Sequence, residues 1–359
     1  MDIKVYGTDT SGHQLVISLM RDILVKANIP FEISEVTDVS EFLNEGIESV
    51  PAIQLDRDEI YPLKSNGSFN SSLRSAINKI LTTKNYGDLP KFLIPIDFSD
   101  SSIKALSYGH RLSTDLGAIT QVVHVYRPKP RVESNAKLHV LTQVDANEKL
   151  NHIVEMMDKD WGGDICQTSL VSGYFEVGFP TDKILHLAKE NANDLIILGA
   201  TGSDFTYKKW IGSVSSAIAS KSTSPVLLIP ENAKYQGIPS MMIGIDDQPL
   251  SNAMAQVISN LCTKFESKIH LVHVGKMNND GVLATSEDVL SKFYKKDFIH
   301  SKCIDSNDVM EALTGYAKLN DIEVIAVAPR SKSLLAKIFN ESISNQLREK
   351  LEKPFLILK

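Results

Sequence analysis

Two long segments of this chain follow the same order of landmarks, and that internal repeat constrains the fold more than any other feature. Lys91-Phe-Leu-Ile-Pro-Ile-Asp97 matches Ser240-Met-Met-Ile-Gly-Ile-Asp246, and an equal interval then leads to His124-Val125 in one segment and His273-Val274 in the other. Further on, Asp194-Leu-Ile-Ile-Leu-Gly-Ala pairs with Glu323-Val-Ile-Ala-Val-Ala-Pro, and each segment closes on an apolar run led by a proline, Pro225 or Pro354. Matched order over this length marks duplication of one structural unit.

The apolar runs are continuous rather than alternating. They are Phe92 to Ile96, Gln121 to Val125, Leu195 to Leu198 and Val226 to Ile229, then Met241 to Ile245, Ile269 to Val274, Val324 to Val327 and Phe355 to Leu358. Short continuous runs separated by helical patterns predict strands buried on both faces, in parallel sheets covered by helices. Glu231 to Pro239 has neither period and reads as a linker between the repeats. The second repeat is shorter, because only the first carries Arg127-Pro-Lys-Pro-Arg131 and a long polar run toward Asp160 after its His-Val strand.

Residues 1–85 fit neither repeat. Ile3 to Tyr6 and Phe31 to Val36 read as strands, Leu15, Leu19 and Ile23 as a helical stripe, and Val50-Pro51 leads a further apolar strand. Asn85 to Pro90 reads as a hinge. The expected organisation is therefore α/β throughout, with a small domain over 1–85, a first repeat over 89–231 and a second over 237–359. A length of 359 residues suits two or three domains at roughly 150 residues each.

A net charge of −6 opposes binding to phosphate backbones, so nucleic acid is not an expected partner. The apolar runs are far shorter than the roughly 20 residues that a membrane helix needs. The start, Met1 to Gly7, lacks the basic and apolar segments of a secretion signal, and Cys166, Cys262 and Cys303 are too scattered to pair. The expectation is a cytoplasmic protein, with the three thiols acting as small hydrophobes.

The most informative motif is Leu198-Gly199-Ala200-Thr201-Gly202 followed, after Ile211, by Gly212-Ser213-Val214-Ser215. It comes straight after a buried strand. Glycines permit close backbone approach and positive φ, and a helix opening at Gly212-Ser213 offers N–H groups and the positive end of its dipole to phosphates. Ser213 and Ser215 add hydroxyls. There is no Gly-Lys-Ser/Thr, so this is not a P-loop, and the spacing differs from the dinucleotide fingerprint. The same glycines could instead serve as tight turns, with the serines capping a helix.

On these residues, together with Ile94-Pro-Ile-Asp97 and the closing strands, residues 89 to 359 resemble the universal stress protein family. Nucleotide-binding members carry Gly-x-x-Gly, nine residues, then Gly-Ser/Thr. The resemblance implies two tandem Rossmann-like domains of the adenine nucleotide α-hydrolase type. It implies ATP as the ligand of the first, with Mg2+ held through the phosphates. Pro95, Ile96, Asp97 and Val125 would surround the nucleoside, with Val125 presenting backbone groups to adenine. Leu198, Gly199, Thr201, Gly202, Gly212, Ser213, Val214 and Ser215 would hold ribose and phosphates. It also implies that the two repeats pair through their last strands, leaving room for a homo-oligomer.

Asp97 precedes Phe98-Ser-Asp-Ser-Ser102 at a strand end, where it can cap the next helix, and Asp246 persists in a repeat that has lost the glycines. A structural role therefore stands beside the ligand role. The second repeat reads Ala328-Pro329-Arg330-Ser331 and then Glu341-Ser342-Ile343-Ser344. Glu341 would set a carboxylate against phosphate, so no triphosphate is expected there. His124 and His273 share a repeat position, which suggests packing or a local hydrogen bond. His270 and His273 point to opposite faces of a strand and form no metal pair.

Tyr6 to His13, the helix after it and Val50-Pro51 resemble small glutaredoxin or thioredoxin-like domains, with Thr10 and His13 in the places of the two cysteines. Dithiol exchange is then impossible, His13 is expected at the surface, and a cis bond before Pro51 is implied by the resemblance. The leading function is a nucleotide-binding stress or regulatory protein. A slow ATPase and a scaffold without nucleotide are the alternatives.

Overall fold

The computed structural model describes residues 2–8, 13–14, 16–18, 20–21, 31–47, 49–55, 60–62, 89–127, 143–160, 171–200, 212–275, 280–306, 308–328 and 353–359. They form two compact units. One comprises Met1–Pro90, Gly117–Gln121 and His139–Tyr174, and the other Lys91–Leu116, Val122–Leu138 and Phe175–Lys359.

In the first unit, β1 (Asp2–Tyr6), β2 (Glu32–Val36), β3 (Ala52–Leu55) and β4 (Ile60–Pro62) form a sheet in the order β2-β1-β3-β4. β1 runs parallel to β2 and antiparallel to β3. Helix α1 (Val39–Asn44) is capped by Asp38, whose carboxylate accepts from Ser40 N–H at 2.8 Å. Its Phe42 joins Tyr6, Val36 and Ala52 in a small core. Of the helical stripe, residues 15, 19 and 23 lie outside the described residues, while Val16, Ile17 and Met20 are buried. The Val50–Pro51 bond is cis, as the resemblance implied.

His13 corrects its expectation. The ring is fully buried, its Nε2 lies 3.3 Å from the Val5 carbonyl, and a Cβ on Gly7 would meet the imidazole at 2.6 Å. The sequence shows no partner because the partner is backbone, and Gly7 makes the room.

The other sheet has ten strands. Its first half comprises β5 (Lys91–Ile96), β6 (Ile119–Tyr126), β7 (Val171–Val177), β8 (Leu195–Gly199) and β9 (Val226–Ile229). Its second half comprises β10 (Ser240–Ile245), β11 (Lys268–Val274), β12 (Ile299–Ile304), β13 (Val324–Val327) and β14 (Phe355–Ile357). The order is β12-β11-β10-β13-β14-β9-β8-β5-β6-β7, so each half has its third, second, first, fourth and fifth strands side by side. β14 runs antiparallel to β9, with Leu356 opposite Leu227.

The helices are α2 (Asp100–Leu116), α3 (Gln143–Asp160), α4 (Pro180–Glu190), α5 (Ser213–Lys221), α6 (Asn252–Cys262), α7 (Asp280–Leu290) and α8 (Val309–Leu319). The central strands are buried end to end, as continuous hydrophobicity requires. The two proline-led strands use the same bond: Ile196 N–H donates to the Pro225 carbonyl at 2.9 Å and Ile325 N–H to the Pro354 carbonyl at 3.0 Å. A strand's first position tolerates proline because only its carbonyl is needed there.

The linker is packed rather than bare. Tyr235 donates its hydroxyl to the Asp115 carboxylate and stands edge-on to Tyr108, and Ile238 is buried. Cys262 is fully buried, which pushes its thiol up to about 12, and Cys303 is half-buried. Cys166 lies outside the described residues.

Candidate functional site

Three strand ends and two helix starts meet around the glycine motif. β5 brings Pro95 and Ile96, both buried, and ends at exposed Asp97, while β6 brings buried Val125. β8 ends in Leu198 and Gly199, and α5 opens behind Gly212. Thr201 and Gly202 lie outside the described residues.

Asp97 is a helix-start residue. Its Oδ1 accepts from Ser99 N–H at 3.1 Å and from the Ser99 hydroxyl at 2.5 Å, and its own N–H donates to Ser102 Oγ at 3.3 Å. This Asx-type turn lets Phe98 adopt φ 64° and directs the chain into α2. In the second half Asp246 Oδ1 accepts from Gln248 N–H at 3.1 Å. The aspartate that outlived the glycines therefore accepts from the N–H two residues on in both halves, although only Phe98 takes a positive φ.

The repeated histidines also share one bond. His124 donates from Nδ1 to the Ile96 carbonyl at 2.9 Å, and His273 from Nδ1 to the Ile245 carbonyl at 3.1 Å. A carbonyl can only accept, which fixes the Nδ1–H tautomer in each. The two bonds tie β6 to β5 and β11 to β10 at the same level. His124 also lies against Phe98, ring centroids 4.3 Å apart.

Gly199 is required by packing. A Cβ there would meet the Ser101 carbonyl oxygen at 2.8 Å and carbon at 2.9 Å, since the first turn of α2 presses on the end of β8. Ser215 is likewise committed. Its buried hydroxyl donates to the Gly199 carbonyl at 2.8 Å, tying the first turn of α5 to the strand end. Sequence reasoning assigned this hydroxyl to phosphate, because a bond to a carbonyl sixteen residues earlier leaves no trace in local pattern.

Gly212 is different. Its φ of −62° suits any residue, so the glycine is not there for a left-handed turn. It is the N-cap of α5 and supplies no side-chain cap, while its N–H donates to the Ala200 carbonyl at 2.8 Å. Ser213 is exposed and Val214 half-buried in the turn that follows. This helix start thus combines a positive dipole end with an uncapping residue, the arrangement suited to an anion.

Residues 89–230 match the model of the Universal stress protein family. This stretch is a universal stress protein domain. The chain is 26% identical over 149 residues to Universal stress protein MJ0531 of Methanocaldococcus jannaschii, covering 40% of this chain and 84% of that protein. It is 27% identical over 145 residues to Universal stress protein YxiE of Bacillus subtilis, covering 39% and 97%. A crystal structure of a universal stress protein from Archaeoglobus fulgidus shares the fold over 75% of this chain and 96% of its own, with a TM-score of 0.54 at 18% identity.

Among the described residues no group of three or more His, Cys, Asp or Glu is placed to hold a metal ion, and no helix is long and apolar enough to cross a membrane. His270 and His273 diverge, His270 reaching Tyr316 instead.

Proposed function

We propose that the universal stress protein domain binds an adenine nucleotide, ATP with Mg2+ carried on its phosphates, and that occupancy serves a regulatory role in stress response. The observation that carries this is the start of α5, where the N-cap residue is a glycine, which has no side chain to cap the first turn. An ordinary helix start places Ser, Thr, Asp or Asn there. The N–H groups of Ser213, Val214 and Ser215, with the exposed Ser213 hydroxyl, would receive phosphate oxygens. Pro95, Ile96 and Val125 would flank the nucleoside, Asp97 would contribute whatever acceptor capacity its turn leaves to the ribose, and Leu198, Gly199, Thr201 and Gly202 would line the approach.

On the same reading residues 237–359 are a second domain of this kind with a degenerate motif, supported by the repeated strand order, the paired histidine bonds and the paired Asx turns. Its motif residues from Pro329 to Ser344 lie outside the described residues. The β9–β14 pairing then joins two lobes within one chain. Residues 1–85 are read as a thioredoxin-like domain without redox chemistry, supported by the parallel and antiparallel neighbours of β1.

Nucleotide carried through purification tests the proposal. Protein denatured after extensive desalting should release an adenine nucleotide identifiable by mass spectrometry, and refolded or stripped protein should take ATP up again. A protein that neither releases nor takes up nucleotide fits the scaffold reading instead.

A further inference from the structure

The outer edge of the second half holds a histidine pair that the nucleotide site does not use. In the parallel register of β11 and β12, His270 stands beside His300, with ring centroids 5.4 Å apart. Register partners on neighbouring strands share a face, so the two imidazoles can reach one ligand. His270 Nδ1 lies 2.9 Å from the Tyr316 hydroxyl on α8, and the two rings meet edge-on at 5.7 Å. When Nδ1–H donates to the Tyr316 oxygen, Nε2 carries the lone pair that coordinates. An oxygen partner on the second nitrogen is what orients metal-binding imidazoles in known sites. His300 is exposed and His270 half-buried, so one side of the pair opens to solvent.

We propose that His270 and His300 form a two-imidazole chelate for a late first-row divalent ion, with water filling the remaining positions and Cu2+ bound most tightly. Paired imidazoles suit Cu2+, Ni2+ and Zn2+, and not Mg2+ or Ca2+. Lys268 and Lys302 lie two positions along the same strands on the same face, so they lower the affinity for every divalent ion alike, and the order among the ions is that of the general affinity series. Glu287 of α7 belongs to the other face, where it accepts from Ser301 Oγ at 2.7 Å. The site is independent of the nucleotide reading.

The test titrates the full chain with Cu2+, Ni2+ or Zn2+ alone in a non-coordinating buffer. Because the chain has 9 histidines, the ion must also be located, by histidine ring signals in NMR at substoichiometric Cu2+. The expected result is early broadening of His270 and His300, with affinity falling about tenfold or more in His300→Ala and about tenfold in Tyr316→Phe. His300 is exposed on an edge strand, and circular dichroism checks that its variant folds. Unchanged affinity in His300→Ala, or broadening that begins at other histidines, overturns the proposal.

Discussion

Helix α2 begins at Asp100, close behind Asp97, whereas in the other half α6 waits until Asn252, well beyond Asp246, and takes Ser251 as its cap. The early start pushes Ser101 onto the end of β8 and leaves no space for a Cβ at Gly199. The late start coincides with Ala328 at the matching position, buried and carrying its methyl group. Both halves keep the Asx turn and the histidine-to-carbonyl bond. Repeated features therefore belong to the architecture, and unrepeated ones have to be explained singly. Gly199 and Gly212 look like one motif in sequence but differ in structure: the first is required by strand-to-helix contact, and the second is an N-cap whose φ of −62° suits any residue.

Changing side chains at matched positions of the two halves breaks this comparison most visibly. Gly199→Val forces a branched side chain into the Ser101 backbone and should cost about 3 kcal/mol or more, while Ala328→Gly should cost about 1 kcal/mol or less; urea unfolding curves measure both. Equal losses would mean that helix placement does not explain the glycine. His124→Phe and His273→Phe should each cost about 2 kcal/mol by leaving a buried strand carbonyl without its donor. Agreement of the two values sharpens the claim that these histidines are structural, and a loss confined to one half contradicts it.

Smaller effects probe single bonds. Ser215→Ala should cost about 1 kcal/mol through the lost bond to the Gly199 carbonyl, visible as a modest fall in thermal midpoint. Tyr108→Phe should change stability at pH 7 by less than about 0.5 kcal/mol, since its buried hydroxyl finds no hydrogen-bond partner among the described residues. Burial, with Glu323 second, raises the Tyr108 pKa. The folded phenol thus stays protonated while the unfolded one ionises near pH 10. Its contribution is present below about pH 10 and is lost as pH rises further, so the variant should lose less stability between pH 9 and 11.

The buried middle of the fold was legible because strands covered on both faces need nothing but apolar residues. Its edges were not. β7, Val-Ser-Gly-Tyr-Phe-Glu-Val, and β12, Ile-His-Ser-Lys-Cys-Ile, each have a neighbour on one side only among the described residues and carry exposed residues, which removes the continuous signal. The glycines of the candidate site were visible as a pattern, but Ser101 against Gly199 and Ser215 on its carbonyl depend on where a helix starts. His13 was misplaced for a related reason, since its surroundings come from Gly7 and the backbone of β1. Tyr235 sits in a segment without periodicity and is fixed by Asp115 and Tyr108 from α2.

The central claim, that α5 opens on an anion site, is tested most directly by calorimetric titration of the full chain with ATP and Mg2+ beside Gly212→Glu. A carboxylate a few ångströms from phosphate at a partly buried site costs on the order of several kcal/mol. The account predicts one nucleotide per chain for the unaltered protein and an affinity weaker by on the order of a hundredfold or more for the folded variant. Indistinguishable titrations, whether both bind or neither does, would contradict it.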